Sequence, residues 1–69
     1  MTRRDYVRIA EALRRARFGL TSEWQGQARI MALRGWRESA AEIADSLASE
    51  NPRFDRARFY AACGMDGAA

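Results

Sequence analysis

The segment from Asn51 to Gly64 constrains the fold most, because it contains signals for both ends of one helix. Asn51-Pro52 ends any preceding helix, since proline pushes the residue before it out of the α region. Asp55 is placed to cap a new helix, and Gly64 supplies the left-handed residue that follows a last turn. The spacing therefore predicts a short helix over residues 56–63.

Two further contacts are expected to fix this short helix. Phe54 and Phe59 have the spacing of a hydrophobic staple, which sets how the chain enters the helix. Met65 can close back on Tyr60 beyond the glycine, in a Schellman-type contact. The single cysteine, Cys63, has no histidine partner and is interpreted as a buried structural residue rather than a nucleophile.

The N-terminal part of the chain predicts an amphipathic helix over residues 3–17. Thr2 and Asp5 have capping-box spacing, and Gly19-Leu20-Thr21 has the composition of a turn. Apolar residues recur at helical intervals between these two signals. They are Tyr6, Ile9, Ala10, Leu13 and Ala16.

The middle of the chain predicts a second, longer helix over residues 22–50. Ser22 and Gln25 form another capping-box pattern, and one apolar stripe continues to the end of this range. Gly35 weakens the helix interior and allows an alternative, a bend or break at this residue. A bend would turn the apolar residues before Gly35 toward the core, and both arrangements remain open.

These three helices and the absence of strand-type alternation predict an all-α fold. A chain of 69 residues forms one small domain, 1–69, which has room for only a marginal core. Residues 65–69 are small and are expected to form a frayed tail. The longest apolar run is far too short for a membrane span.

Residues near both ends of the chain carry a resemblance to known proteins. The matching motifs are Thr2-Arg3-x-Asp5-Tyr6, Ile9-Ala10-x-Ala12-Leu13, Ile43-Ala44-x-x-Leu47 and Asn51-Pro52-Arg53-Phe54-Asp55-Arg56-x-Arg58-Phe59-x-x-Ala62-Cys63-Gly64. Together they resemble a group of small uncharacterised proteins of phages and prophages. The resemblance implies a phage-type accessory protein in the cytoplasm of a bacterial host, and it assigns no functional residue.

The residue inventory argues against catalysis. All twelve basic residues are arginine, so the usual general bases and the Schiff-base nucleophile are missing. The sequence therefore predicts a non-enzymatic protein without a cofactor.

Glu38, Glu42 and Asp45 share one face of the second helix, but carboxylates from a single helix are not a typical metal site. They are interpreted as a solvated face or as partners for arginine, and no metal is predicted.

Charge is distributed unevenly and makes nucleic acid one candidate partner. Residues 1–37 hold nine arginines against three acids, whereas residues 38–52 hold four acids and no base. Arg4, Arg8 and Arg15 fall on one face of the first helix, where they could contact phosphates. Glu11 interrupts this face, and an ordinary solvent-exposed helix face is the competing interpretation.

The favoured hypothesis is a protein-binding module that occupies a surface of a larger host or phage assembly. Its predicted contact residues are Trp24 and Met31, which fall outside the main apolar stripe, with Arg29 and Arg34 beside them. Alternatively, Trp24 closes over Phe18 and Leu20 at the first turn. Given the phage-type resemblance, the most concrete version is an inhibitor of a bacterial defence complex, of the anti-CRISPR kind. The protein is expected to be a monomer or a weak homodimer built on Trp24 and Met31.

Overall fold

Three helices account for most of the residues described by the computed structural model, which covers residues 2–65. They are α1 (Arg3–Glu23), α2 (Gly26–Glu50) and α3 (Arg56–Cys63). No strand occurs within residues 2–65. The predicted all-α, three-helix fold is therefore confirmed.

The predicted start of α1 is confirmed by a complete capping box. The Thr2 hydroxyl accepts from the Asp5 amide at 3.4 Å, and the Asp5 carboxylate accepts from the Thr2 amide at 3.0 Å. The hydrogen bond from the Thr2 backbone lowers the pKa of the Asp5 carboxyl below its ordinary value. The first turn of α1 is thus fixed by reciprocal contacts between two exposed residues.

The predicted end of α1 at residue 17, with a turn at residues 19–21, is wrong, because α1 continues to Glu23. Thr21 and Ser22 donate their hydroxyls to carbonyl oxygens four residues earlier in α1, at 2.9 and 2.7 Å. Leu20 packs against the core from within the helix. An interior glycine costs only about 1 kcal/mol relative to alanine, so Gly19 alone does not stop the helix.

The second helix begins four residues later than predicted, at Gly26. Ser22 belongs to α1 and does not cap α2, and Gln25 makes no side-chain capping hydrogen bond. From Gly26 the helix runs unbroken through Gly35 to Glu50. The predicted helix is therefore continuous through Gly35, and the alternative break there does not occur.

The predicted beginning of α3 is confirmed in detail. The Asp55 carboxylate accepts from the Arg58 amide at 3.0 Å, which caps the helix. The rings of Phe54 and Phe59 lie 5.4 Å apart, as the staple requires. Phe54 also packs edge-on against Tyr6 of α1, with ring centroids 5.1 Å apart.

The end of α3 is a complete Schellman motif around Gly64, which has a φ of 85°. The amide of Gly64 donates to the Ala61 carbonyl at 3.1 Å, and that of Met65 donates to the Tyr60 carbonyl at 3.0 Å. Met65 is buried, so its assignment to a frayed tail is wrong. Residues 66–69 of that predicted tail lie outside the described residues.

The three helices pack together at one end of the molecule. Trp36 of α2 donates its indole N–H to the Leu13 carbonyl of α1 at 2.8 Å. The side-chain amide of Asn51 donates to the Tyr6 hydroxyl at 3.1 Å. These contacts make α1 and α2 antiparallel. Phe54 lies beside Tyr6, whereas Gly64 lies close to the Arg14 side chain, so α3 runs alongside α1 in the same direction.

The hydrophobic core is confined to this end. Its small alanines let α2 approach the other helices closely, while Trp36 and Phe59 are its largest side chains. No residue from 14 to 35 is buried. The core residues are Ala10, Trp36, Ala40, Ala44, Leu47, Phe59, Cys63 and Met65.

Candidate functional site

Residues 14–35 form a two-helix projection that we call the hairpin tip. It consists of the second half of α1, the extended pair Trp24–Gln25 and the first part of α2. Gly26 has a φ of 59°, a left-handed conformation that glycine adopts readily, and this lets the chain reverse. The tip joins the two long helices but adds no residue to the buried core.

Four large apolar side chains are exposed on the hairpin tip. Phe18 is 74% exposed, Trp24 47%, Ile30 56% and Met31 52%. Trp24 therefore does not cover Phe18, as the alternative interpretation required. Sequence reasoning had identified Trp24 and Met31 but not Phe18 or Ile30.

Met31 lies on the outer side of α2. Five residues separate Met31 from Trp36, which places them about 140° apart around the helix. Since Trp36 points into the core, Met31 faces away from it. Trp24 lies two residues before the first turn of α2, at the same end of the molecule. The two predicted residues are thus both available to a partner.

The predicted arginines have different roles at the tip. Arg29 is half-buried, and its Nε donates to the Trp24 carbonyl at 2.9 Å. This bond ties the start of α2 to the connection, so Arg29 positions Trp24. Arg34 is exposed and lines a cavity of about 340 Å³. The lining residues are Arg17, Ile30, Leu33, Arg34, Trp36 and Arg37.

One arginine of this cavity is held against the core tryptophan. The guanidinium carbon of Arg17 lies 5.8 Å from the centroid of the Trp36 ring, within the range of a cation–π contact. The cavity therefore combines positive charge with apolar surface at the base of the tip. Arg17 was not among the predicted binding residues.

The predicted basic stripe lies on the solvent side of α1. Arg4, Arg8 and Arg15 are all exposed on one continuous helix, and Glu11 is exposed among them. The described residues contain one ion pair, between Arg56 and Asp45, so none of these three arginines is paired with a carboxylate there. The stripe is therefore accessible to solvent, and phosphate binding there stays a prediction.

The remaining candidates are one buried thiol and three carboxylates of α2. Cys63 is fully buried, and burial raises the pKa of its thiol, which keeps it protonated. Asp45 pairs with Arg56, whereas Glu38 and Glu42 are exposed. Residues 2–65 bring no three potential ligand side chains together around a metal position.

A second cavity, which sequence reasoning missed, lies between α1 and α3. It has a volume of about 500 Å³ and is lined by arginines from both ends of the chain. The sequence contains one signal for this cavity, the two adjacent pairs Arg53-Phe54 and Arg58-Phe59. Their approach to Arg3 depends on the packing of α3 alongside α1.

No protein-family model, curated protein or solved structure matches the chain. Within the described part of the chain, no helix combines the length and apolar character needed to cross a membrane.

Proposed function

We propose that this protein is a non-enzymatic binding protein whose hairpin tip occupies a surface of a larger macromolecular assembly. The observation that carries the proposal is the exposure of Phe18, Trp24, Ile30 and Met31 at one end of a chain with only a small core. Small domains bury aromatic side chains when they can, and exposed apolar groups of this size are typical of interaction sites.

The composition of the tip supports a protein partner. Tryptophan, methionine and arginine are enriched in protein interfaces, and all three occur there. Arg34 borders the apolar surface, whereas Arg29 holds the Trp24 backbone in place. A tip that is already folded loses little conformational freedom on binding, which favours affinity.

The most concrete version of this role is inhibition of a bacterial defence complex, of the anti-CRISPR kind, in the host cytoplasm. It is supported by the phage-type sequence motifs and by the absence of histidine and lysine from the chain. Such a protein acts by covering a functional surface, without chemical turnover.

Affinity capture from a bacterial lysate that contains an active defence complex tests the tip. We expect the wild-type protein to recover a stoichiometric protein partner, and we expect the Trp24→Ala/Met31→Ala variant to lose it. A matched control, Arg4→Ala/Arg8→Ala, changes two exposed residues of α1 outside the tip and should retain the partner. Capture of no partner, or equal capture by the tip variant, would contradict the proposal.

Phage infection of a host with a matching defence system then tests the inhibitor version. Expression of the wild-type protein is expected to restore plaque formation, and the tip variant is expected not to. Restoration by neither protein, despite capture of a partner, would leave a binding role and exclude inhibition of that system.

A second candidate function is nucleic-acid binding through Arg4, Arg8 and Arg15. The observation that favours it is their exposure on one face of α1 without a carboxylate partner among residues 2–65. Retardation of duplex or single-stranded DNA at about 50 mM salt, lost in the triple alanine variant, would support it. Three phosphate contacts give a log–log salt slope of about −2 to −3, and no retardation at low salt would exclude this function.

A further inference from the structure

The cavity between α1 and α3, which we call the α1–α3 groove, lies outside the hairpin tip. Its volume of about 500 Å³ is within the range of ligand pockets. Tyr6, Val7, Phe54 and Phe59 form its apolar floor, and exposed arginines form its rim. The rim arginines are Arg3, Arg53 and Arg58.

The described lining of the groove carries a net positive charge, with three arginines against one acid. That acid is Asp55, whose carboxylate accepts from the Arg58 backbone amide. The one ion pair among residues 2–65 joins Arg56 and Asp45, neither of which lines the groove. Three guanidinium groups are thus available for carboxylates, which arginine binds through two parallel hydrogen bonds.

The other polar groups of the groove are arranged so that donors remain available. The Tyr6 hydroxyl accepts from the Asn51 side-chain amide at 3.1 Å, which leaves its own proton free to donate. The side-chain oxygen of Asn51, Oδ1, accepts from the Arg53 backbone amide at 3.0 Å. That second bond fixes the segment that carries Arg53, so the rim is partly preorganised for an anionic ligand.

The floor favours an apolar side chain over a stacked base. Val7 is 44% exposed on the floor, which leaves apolar surface for a ligand to cover. Tyr6 and Phe54 pack edge to face, with an interplanar angle of 67°, and Phe59 is 4% exposed. The floor therefore lacks a broad open aromatic face of the kind that single-stranded nucleic acids use for stacking.

From this charge and this floor we infer that the α1–α3 groove binds an acidic segment of another protein. One large apolar side chain of the segment covers Val7 and Phe54, and carboxylates on either side of it pair with the rim arginines. This site is separate from the hairpin tip, so the inference does not depend on the proposed function. It would give the protein a second partner surface.

Selection from a displayed peptide library, followed by fluorescence polarisation with the enriched peptides, tests this site. We expect the enriched peptides to carry two or more Asp or Glu residues close to one large apolar residue. Arg53→Glu/Arg58→Glu should reduce their affinity at least about tenfold, because two charge-assisted pairs are lost. Added salt should weaken the same peptides.

Matched variants separate the groove from general charge and from the tip. Arg8→Glu/Arg15→Glu makes the same charge change on another face of α1 and should leave affinity within about twofold, since distant exposed charges are largely screened. Trp24→Ala/Met31→Ala should also leave it unchanged. Arg3→Glu, a second rim variant, should lower affinity, and far-UV circular dichroism checks that each variant is folded.

Several results would overturn the inference. They are the enrichment of no peptide, enrichment of peptides without acidic residues, or equal loss of affinity in the two charge-reversal variants. Binding of an oligothymidylate probe that is lost with Arg53→Glu/Arg58→Glu would assign the groove to nucleic acid instead. A dimer seen by light scattering and lost in that variant would assign it to a second copy of the chain.

Discussion

The two tryptophans belong to ends of the molecule that are packed in different ways. Trp36 is buried where three helices meet, and its indole N–H is bonded to the Leu13 carbonyl. Trp24 is half-exposed in the connection between two helices, at a tip where no residue from 14 to 35 is buried. Apolar side chains of α1 and α2 are therefore buried where α3 also packs against them.

The two ends of the molecule are therefore expected to have different roles, one in stability and the other in recognition. Eight hydrophobic residues are buried among residues 2–65, all at the three-helix end, whereas the tip carries the exposed Phe18, Trp24 and Met31. Substitutions at the first end are expected to act on folding, and those at the tip on binding. Paired substitutions, one at each end, test this division.

The largest contrast is expected between the two tryptophans. Trp36→Ala should lower the free energy of unfolding by about 3–5 kcal/mol, because it leaves a large cavity in the core. Trp24→Ala should change it by no more than about 0.5 kcal/mol. Chemical denaturation followed by circular dichroism measures both. If Trp36→Ala does not fold, Trp36→Phe should still show a loss of about 1 kcal/mol from the missing hydrogen bond.

Enlarging an alanine should distinguish the same two ends. Ala44 is 0% exposed, so Ala44→Leu overpacks the core and should destabilise the protein by about 1–3 kcal/mol. Ala28 is exposed in the tip, and leucine has nearly the helix propensity of alanine, so Ala28→Leu should be almost neutral. Thermal denaturation of the two variants tests the contrast, and equal melting temperatures would contradict it.

Two glycine substitutions should have opposite signs. Gly64 has a φ of 85°, and an added Cβ would lie 3.6 Å from the Arg14 side chain, so Gly64→Ala should cost about 1–2 kcal/mol from the left-handed conformation. Gly35 lies inside α2 with open space around it, so Gly35→Ala should stabilise by about 1 kcal/mol. Urea denaturation measures both changes. A destabilised Gly35→Ala variant would indicate that α2 needs flexibility there.

The smallest effect is expected from the capping box of α1. The folded-state pKa of Asp5 lies below its ordinary value of 3.8, so its stabilising contribution is present above that pH. It should be lost as the pH falls through the lower folded-state value. Asp5→Asn should therefore melt at a lower temperature than wild type near neutral pH, and the difference should vanish in acid. A difference that is independent of pH would exclude the carboxylate as its cause.

Local signals predicted α3 well because each of them acts within a few residues. Asp55, the phenylalanine pair and Gly64 need no distant partner to define a helix. The boundary between α1 and α2 was mispredicted because a serine hydroxyl such as that of Ser22 either caps a helix or bonds to a carbonyl four residues back. Here Leu20 packs against the core and keeps this part of the chain in α1.

The sequence also predicted the candidate binding surfaces only in part. The periodicity placed Trp24 and Met31 outside the core stripe, but it left their burial open, since it does not show how far α3 extends over the hairpin. The α1–α3 groove could not be predicted, because Arg3 meets Arg53 and Arg58 only after α3 packs alongside α1. Distant side chains that share one cavity leave no local pattern in a sequence.

The bond between Trp36 and the Leu13 carbonyl sits at the border between the two ends and so has a dynamic consequence. We expect the turns of the tip beyond Leu20, which itself packs against the core, to open locally, while the indole hydrogen bond keeps α1 and α2 joined at this anchor. Backbone amides beyond the anchor then exchange with solvent through local fluctuations, whereas those below it exchange only when the whole domain unfolds. Hydrogen exchange should therefore distinguish two groups of backbone amides, with the division near Trp36.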